Sequence, residues 1–189
     1  MAKKNKLPKN AKRVFKGEIF EVWQWPQKMY DGSTETFEML KRPDTAVVIP
    51  VVGDKILILT QAQPNRPKAF YSIAGGRREK GERPLNSVKR ELLEETGYVS
   101  RDWKLWNSVD PVGKMVWTVY TYIARDCIFW QAPRPDTGEK ISVKLISYDE
   151  LLKLADAPDF YGDELAKQLL RARGDKKEYK KFHKLLFGK

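Results

Sequence analysis

A short acid-rich segment, pinned by Pro84 at one end and Gly97 at the other, constrains this chain more than any other feature. Proline is well tolerated in the first turn of a helix, and glycine can take the left-handed conformation that stops one. Together they predict a helix from about Pro84 to Thr96. At about 100° per residue, Leu85, Val88, Leu92 and Leu93 form its apolar face. Glu91 and Glu95 then stand about 40° apart, one turn from each other, at the edge of the buried stripe. Glu94 lies further round but reaches the same outside volume, and Glu82, just before the helix, can fold back toward it. Like charges this close repel unless a cation holds them. A hard divalent ion with oxygen ligands is the natural candidate. The alternative is a solvated acidic face, which gains nothing from clustered glutamates and has Lys89 and Arg90 at hand for balance.

Strand-like sequence surrounds this helix. Val14–Arg42 reads as extended with a turn at Asp31-Gly32, Ala46–Val52 and Lys55–Gln61 meet at Gly53-Asp54, and Phe70–Ala74 leads into Gly75-Gly76. Gly-containing junctions between extended runs predict hairpins. After the helix, Trp103–Val109, Met115–Asp126 and Ile141–Ile146 read as strands and residues 127–138 as a loop. Helices are expected at about 148–155, 162–173 and 175–187. The expected fold is α/β in the α+β sense, a mixed curved sheet between helices. The order does not alternate βαβα, and Gly75-Gly76 lacks the third glycine of a dinucleotide-binding fingerprint, so a doubly wound fold is not expected. Four segments follow: a basic flexible arm over 1–13, an N-terminal β-subdomain over 14–43, the main domain over 44–156, and a basic helical extension over 157–189.

The single cysteine, Cys127, rules out an intrachain disulfide and reads as a small buried apolar residue. No apolar run approaches the roughly 18–20 residues of a membrane span, and the basic amino terminus lacks the apolar stretch of a secretory signal. A soluble cytoplasmic protein with no membrane partner is expected. The formal net charge of +11 favours anionic partners such as nucleotides or nucleic acid. Much of it sits at the two ends, which read either as solubilising tails or as nucleic-acid contacts. His183 is the only histidine and has no cysteine nearby, which excludes a zinc site or a Ser/His triad. Tyr179, Phe182, Leu185 and Leu186 form an apolar stripe suited to docking on the domain or on a dimer partner.

The spacing over Gly76–Tyr98 is glycine, five residues, Glu82, seven residues, Arg90-Glu91, an aliphatic, one residue, Glu94-Glu95, one residue, Gly97. It closely resembles the Nudix box of hydrolases acting on nucleoside diphosphates linked to another moiety. Every glycine, glutamate and arginine of the pattern is present, and Tyr98 takes a position that is usually aliphatic. The resemblance implies that Glu91 and Glu95 are the main ligands of Mg²⁺ or Mn²⁺, with Glu94, Glu82 and the main-chain carbonyl of Gly75 completing the shell. Arg90 would orient a motif glutamate. Glu139, on a loop before a late strand, would be the general base or orient the attacking water, with Asp136 as the alternate. Glu139, Glu94 and Arg90 thus form the expected catalytic group.

From about Phe15 to Leu154 the chain is similar to ADP-ribose pyrophosphatases and related nucleoside-diphosphate-sugar hydrolases. That likeness implies a homodimer and a small-molecule nucleotide substrate. Arg77, Arg78 and Arg42, with Arg66 further off, are candidates to grip phosphates, because a planar guanidinium binds them bidentately. Trp23 and Trp25 are candidates for base stacking, as are Phe70, Trp117 and Tyr120, although aromatics of such a chain also build its core. One departure is Ser72, which stands where that subfamily often carries a glutamate. The leading expectation is a metal-dependent pyrophosphohydrolase releasing a nucleoside monophosphate and a sugar phosphate. A Nudix enzyme acting on RNA 5′ ends or nucleoside triphosphates is the enzyme alternative, and a non-catalytic nucleotide sensor is the other.

Overall fold

Two hairpins and one helix organise the chain. In the computed structural model, which describes residues 4–188, β1 (Lys12–Lys16), β2 (Glu21–Lys28) and β3 (Thr34–Lys41) form an antiparallel meander. β4 (Thr45–Val52) and β5 (Lys55–Gln63) meet in a hairpin, followed by β6 (Arg66–Ser72), β7 (Ala74–Arg77) and the helix α1 (Pro84–Thr96). Next come β8 (Tyr98–Val99), β9 (Asp102–Val109), β10 (Met115–Val116), β11 (Val119–Arg125), β12 (Ile128–Phe129) and β13 (Lys140–Ile146). The carboxy-terminal part holds α2 (Tyr148–Lys153), a 3₁₀ turn at Leu154–Asp156, β14 (Phe160–Tyr161), α3 (Asp163–Gly174) and α4 (Lys176–Phe187).

Side-chain alternation in the central hairpin sets the layers. Ala46, Val48, Leu57 and Leu59 face α1 and pack with Val88 and Leu92. Ile49, Val51, Ile56 and Ile58 point the other way, onto Leu151, Leu165, Leu169, Phe182 and Leu186 of the three later helices. Successive residues of a strand face opposite sides, so stretches covered on both faces must be apolar throughout, and residues 46–52 and 56–59 are. The result is the expected mixed sheet between helices.

β4 and β5 pair only near their turn, at Val51–Ile56 and Val52–Lys55. Beyond it they part: β4 takes β7 and β11 as neighbours, while β5 takes β6 and β13. β11 pairs in parallel with β4 and antiparallel with β9. The space opened by this divergence becomes the candidate site.

Two local readings are corrected. The single strand expected over Met115–Asp126 is two: β10 joins β3 in the amino-terminal sheet and β11 joins β4 in the central one. The break falls at Thr118, whose N–H donates to Asp44 Oδ1 at 2.9 Å and whose hydroxyl donates to Asp110 Oδ1 at 2.8 Å. The loop expected over 127–138 contains β12, which pairs with β8. The carboxy-terminal extension docks on the domain through its apolar stripe: Phe182 and Leu186, with Leu165 and Leu169, are core residues. At the other end, Lys12 and Arg13 of the arm pair in β1. Asn5 donates from its backbone to Asp110 at 2.5 Å and from its side chain to the carbonyls of Val112 and Met115. Residues 1–3 lie outside the described residues. No helix among the described residues is long and apolar enough to cross a membrane.

Candidate active site

α1 starts at Pro84 and ends on Gly97, whose φ of 75° lets its N–H close onto the Leu93 carbonyl. This helix rests against β7, and two glycines of that strand matter: Gly75 lets it lie close on β4, and Gly76 lets α1 approach it. Gly75 has φ +147°, and a Cβ there would strike the Ala46 carbonyl and come within 2.5 Å of Val47 Cα. At Gly76 a Cβ would lie 2.5 Å from Glu91 Oε1, so the missing side chain is what admits the Glu91 carboxylate.

Arg90 gathers three partly buried acids. Its guanidinium lies 3.3 Å from Glu82, 2.9 Å from Glu91 and 2.9 Å from Glu94, and it also donates to the Arg77 carbonyl. Burial works against the Arg90 charge, but its bonds to Glu82, Glu91 and Glu94 outweigh that and raise its pKa. Glu95 lies deeper, 5% exposed, and its Oε2 accepts from the Gly75 N–H at 2.7 Å. Burial first, then repulsion from Glu91, Glu139 and Glu94, pushes Glu95 up to about 9 against the help of that amide. Burial likewise pushes Glu91 up to about 7, although Arg90 opposes it. Glu139 arrives from the loop before β13 and accepts from Gln63 Nε2 at 3.2 Å; burial and Asp136 raise its pKa. Glu91, Glu94, Glu95 and Glu139 therefore share one under-compensated negative region.

Facing them is a cavity of about 510 Å³, lined by Gly75, Gly76, Glu95 and Glu139 on the acidic side and by Arg42, Arg66 and Arg77 on the other. The Arg42 guanidinium sits 4.6 Å from the centre of the Trp117 ring. That of Arg66 sits 4.3 Å from Phe70 and 5.6 Å from Tyr161. Stacking on rings fixes these cations while leaving their N–H edges free. Among the described residues none of the three has a carboxylate within ion-pair distance. Burial, and the neighbouring charge of Arg77, lower the pKa of Arg42. Two adjacent guanidiniums in a half-buried cavity call for an anion.

The NUDIX domain family profile matches residues 41–167, which include α1, the divergent strands and both walls of this cavity. The chain belongs to the NUDIX family. As a NUDIX protein it is a hydrolase of pyrophosphate bonds, and such hydrolases generally use divalent metal ions. Over 157 residues it is 25% identical to the ADP-ribose pyrophosphatase of Bacillus subtilis (strain 168), covering 82% of this chain and 85% of that relative. It is 27% identical over 118 residues to the methanol dehydrogenase activator of Bacillus methanolicus, covering 61% of this chain and 63% of the relative. The crystal structure of an ADP compounds hydrolase superposes with a TM-score of 0.72 at 18% identity, over 92% of this chain and 96% of that one. This last likeness concerns the fold.

The NUDIX acids fit a divalent cation by their chemistry more than by their present arrangement. Among the described residues no group of three or more Asp, Glu, His or Cys side chains converges closely enough to hold a metal. Arg90 is the reason, since it draws Glu82, Glu91 and Glu94 around a guanidinium instead of a common point. Glu91 and Glu95, crowded and desolvated, are the two whose charge a cation would most stabilise, and the Gly76 cradle leaves Glu91 oxygen room beside the backbone.

The other sequence candidates separate. Arg42 and Arg77 line the cavity; Arg78 does not, being tied to Asp44 by its side chain at 3.5 Å and by its backbone N–H at 2.9 Å. Trp23 and Trp25 lie on the amino-terminal sheet and neither lines the cavity: Trp25 is 7% exposed and packs on Phe37, and Trp23 donates to Glu21 beneath Arg13 and Lys41. Phe70 and Trp117 do line it. Sequence reading missed Gln61 and Gln63 on β5 and the wall formed by Tyr161 and the start of α3. The partners of Gln63 and Tyr161 are remote in the chain, so no local signal marks them.

Proposed function

We propose that this chain hydrolyses the diphosphate bridge of a nucleoside diphosphate sugar, with ADP-ribose as the reference substrate, using Mg²⁺ or Mn²⁺. The carrying observation is the division of the cavity: desolvated carboxylates on one side and, on the other, ring-stacked guanidiniums that have no ion-pair partner among the described residues. A diphosphate complexed to divalent cations meets both needs at once. The cavity is of the size expected for a ligand of this class, and the resemblance to an ADP-ribose pyrophosphatase supports the same choice.

Glu91 and Glu95 would hold the cations, with Glu94, Glu82 and the Gly75 carbonyl nearby; when bound, the ions neutralise phosphate charge and lower the pKa of water. Arg42 and Arg77 grip the phosphate oxygens, and Arg66 steadies the far end of the ligand. Glu139, oriented by Gln63, takes the proton of the water that attacks one phosphorus. The bridging P–O bond breaks, giving a nucleoside monophosphate and a sugar phosphate. Arg90 is the positioning residue that keeps the acids on one side. Exposed apolar residues of the amino-terminal sheet, Val14 and Phe15, with Phe20 in the turn before β2, suit a homodimer face, and the setting is the cytoplasm.

The test is a panel containing ADP-ribose, other nucleoside diphosphate sugars, nucleoside triphosphates and 5′-triphosphorylated RNA, each with Mg²⁺ and Mn²⁺, products identified by mass. The expected outcome is AMP and ribose 5-phosphate from ADP-ribose at the highest kcat/KM. Preference for RNA or a triphosphate would overturn the reading, and so would no turnover of any diphosphate sugar.

A further inference from the structure

Gln61 lies in the wall of the cavity, 8% exposed, beside Ser72, 3% exposed. Its Nε2 donates to Ser72 Oγ at 2.5 Å. Its Oε1 is buried and finds no partner among the described residues. An orphaned acceptor in a closed core is simply unfavourable, but in a residue that lines a cavity a small turn of the side chain brings it to a ligand. With the amide nitrogen committed to Ser72, the atom left over is a neutral acceptor. It repels phosphate oxygens and is satisfied by a hydroxyl.

Position narrows which hydroxyl. Gln61 precedes by two residues Gln63, which holds Glu139. Ser72 precedes by three residues Gly75, whose N–H holds Glu95. The pair is thus anchored on both strands next to the reacting acids. On the other side, Gln61 is the register partner of Phe70, whose ring lies under Arg66. A group lying between the diphosphate and the aromatic end is the sugar joined to the phosphate, not the base beyond it.

We propose that Gln61, braced by Ser72, reads a hydroxyl of a sugar attached directly to the diphosphate, and so selects sugar diphosphates with that hydroxyl free. This rests on the diphosphate-sugar reading above. It also gives the neutral Ser72 a role: it engages the amide nitrogen, so that the oxygen is the atom left for the ligand.

The experiment compares kcat/KM for ADP-ribose and for analogues lacking one hydroxyl on either ribose, in wild type and in Gln61→Met. Wild type is expected to discriminate against one deoxy analogue by at least about tenfold, because the acceptor is then left unpaired. Gln61→Met should bring that ratio within about twofold by losing rate on ADP-ribose alone, and the affected analogue shows which ribose is read. Ser72→Ala, a smaller change that keeps the core should Gln61→Met not fold, should lower the ratio about threefold or more. Wild-type ratios within twofold for every analogue would overturn the assignment, as would ratios unchanged in the variants. Hydrolysis of ADP-ribose with unchanged ratios removes this inference alone; no hydrolysis of ADP-ribose removes the functional reading and this inference with it.

Discussion

The two walls of the cavity are built on opposite principles. On the α1 side, acids are crowded against one another and partly neutralised by a single guanidinium, Arg90, which leaves Glu95 and Glu91 with raised pKa values. On the facing side, Arg42 and Arg66 lean on aromatic rings and have no acid to pair with among the described residues. Charges that could neutralise one another across the cavity are held apart. The contrast teaches that each wall is incomplete by itself: one wants a cation and the other an anion, and the metal-complexed diphosphate we propose would supply both.

The comparison breaks most completely at the acids. Glu95→Gln or Glu91→Gln should lower kcat by about 10³-fold or more, because several kcal/mol of charge stabilisation depends on the cations we propose these residues hold. The same substitutions should raise the melting temperature of the metal-free protein, since they remove a buried like-charge repulsion while the Gly75 N–H keeps an acceptor in Glu95→Gln. A fall in both activity and thermal stability would contradict the account.

Next in size is Glu139→Gln, expected to cut kcat by about 10²–10⁴-fold with little change in KM, the signature of a lost base. A change below about threefold in steady-state assays would remove Glu139 from that role. Arg42→Ala tests the basic wall: KM should rise about tenfold with a smaller effect on kcat. Arg42→Lys should recover only part of it, because an ammonium neither stacks on Trp117 nor grips bidentately.

The pH dependence of stability sharpens the contrast. Glu91 and Glu95 hold protons more tightly in the folded chain than in the unfolded one, at about 7 and about 9 against 4.5. Their contribution is therefore full below pH 4.5 and is lost as pH rises through 7 toward 9. Without metal, the melting temperature should fall over that window by more than about 2 °C, which corresponds to roughly 1 kcal/mol for a chain of this size. Divalent cation should flatten or reverse the trend, because it binds the ionised acids. The smallest effect should follow deletion of residues 1–5, whose Asn5 braces Asp110, Val112 and Met115 behind the Trp117 wall. A two- to threefold rise in KM, on the order of 0.5 kcal/mol, is expected with the fold intact.

What could be read without coordinates follows the range of the forces involved. The helix α1, its Pro84 start and its Gly97 stop are local, and the sequence determines them by periodicity and backbone preference. The Gly53-Asp54 hairpin and the Glu91–Glu95 face were legible for the same reason. The division of Met115–Asp126 into β10 and β11 was not, because it is decided by Asp44 and Asp110 reaching Thr118 from elsewhere. Gln63 meets Glu139 across 76 positions. Trp25 shows the limit from the other side: an aromatic at a strand position looks the same whether it stacks on a ligand or, as here, fills a core against Phe37.

The account stands most directly on one titration: ADP-ribose hydrolysis by wild type as Mg²⁺ is raised from a chelated start. It predicts no turnover in excess chelator and a saturable rise to full activity with added ion. Turnover that is unchanged in chelator would contradict it.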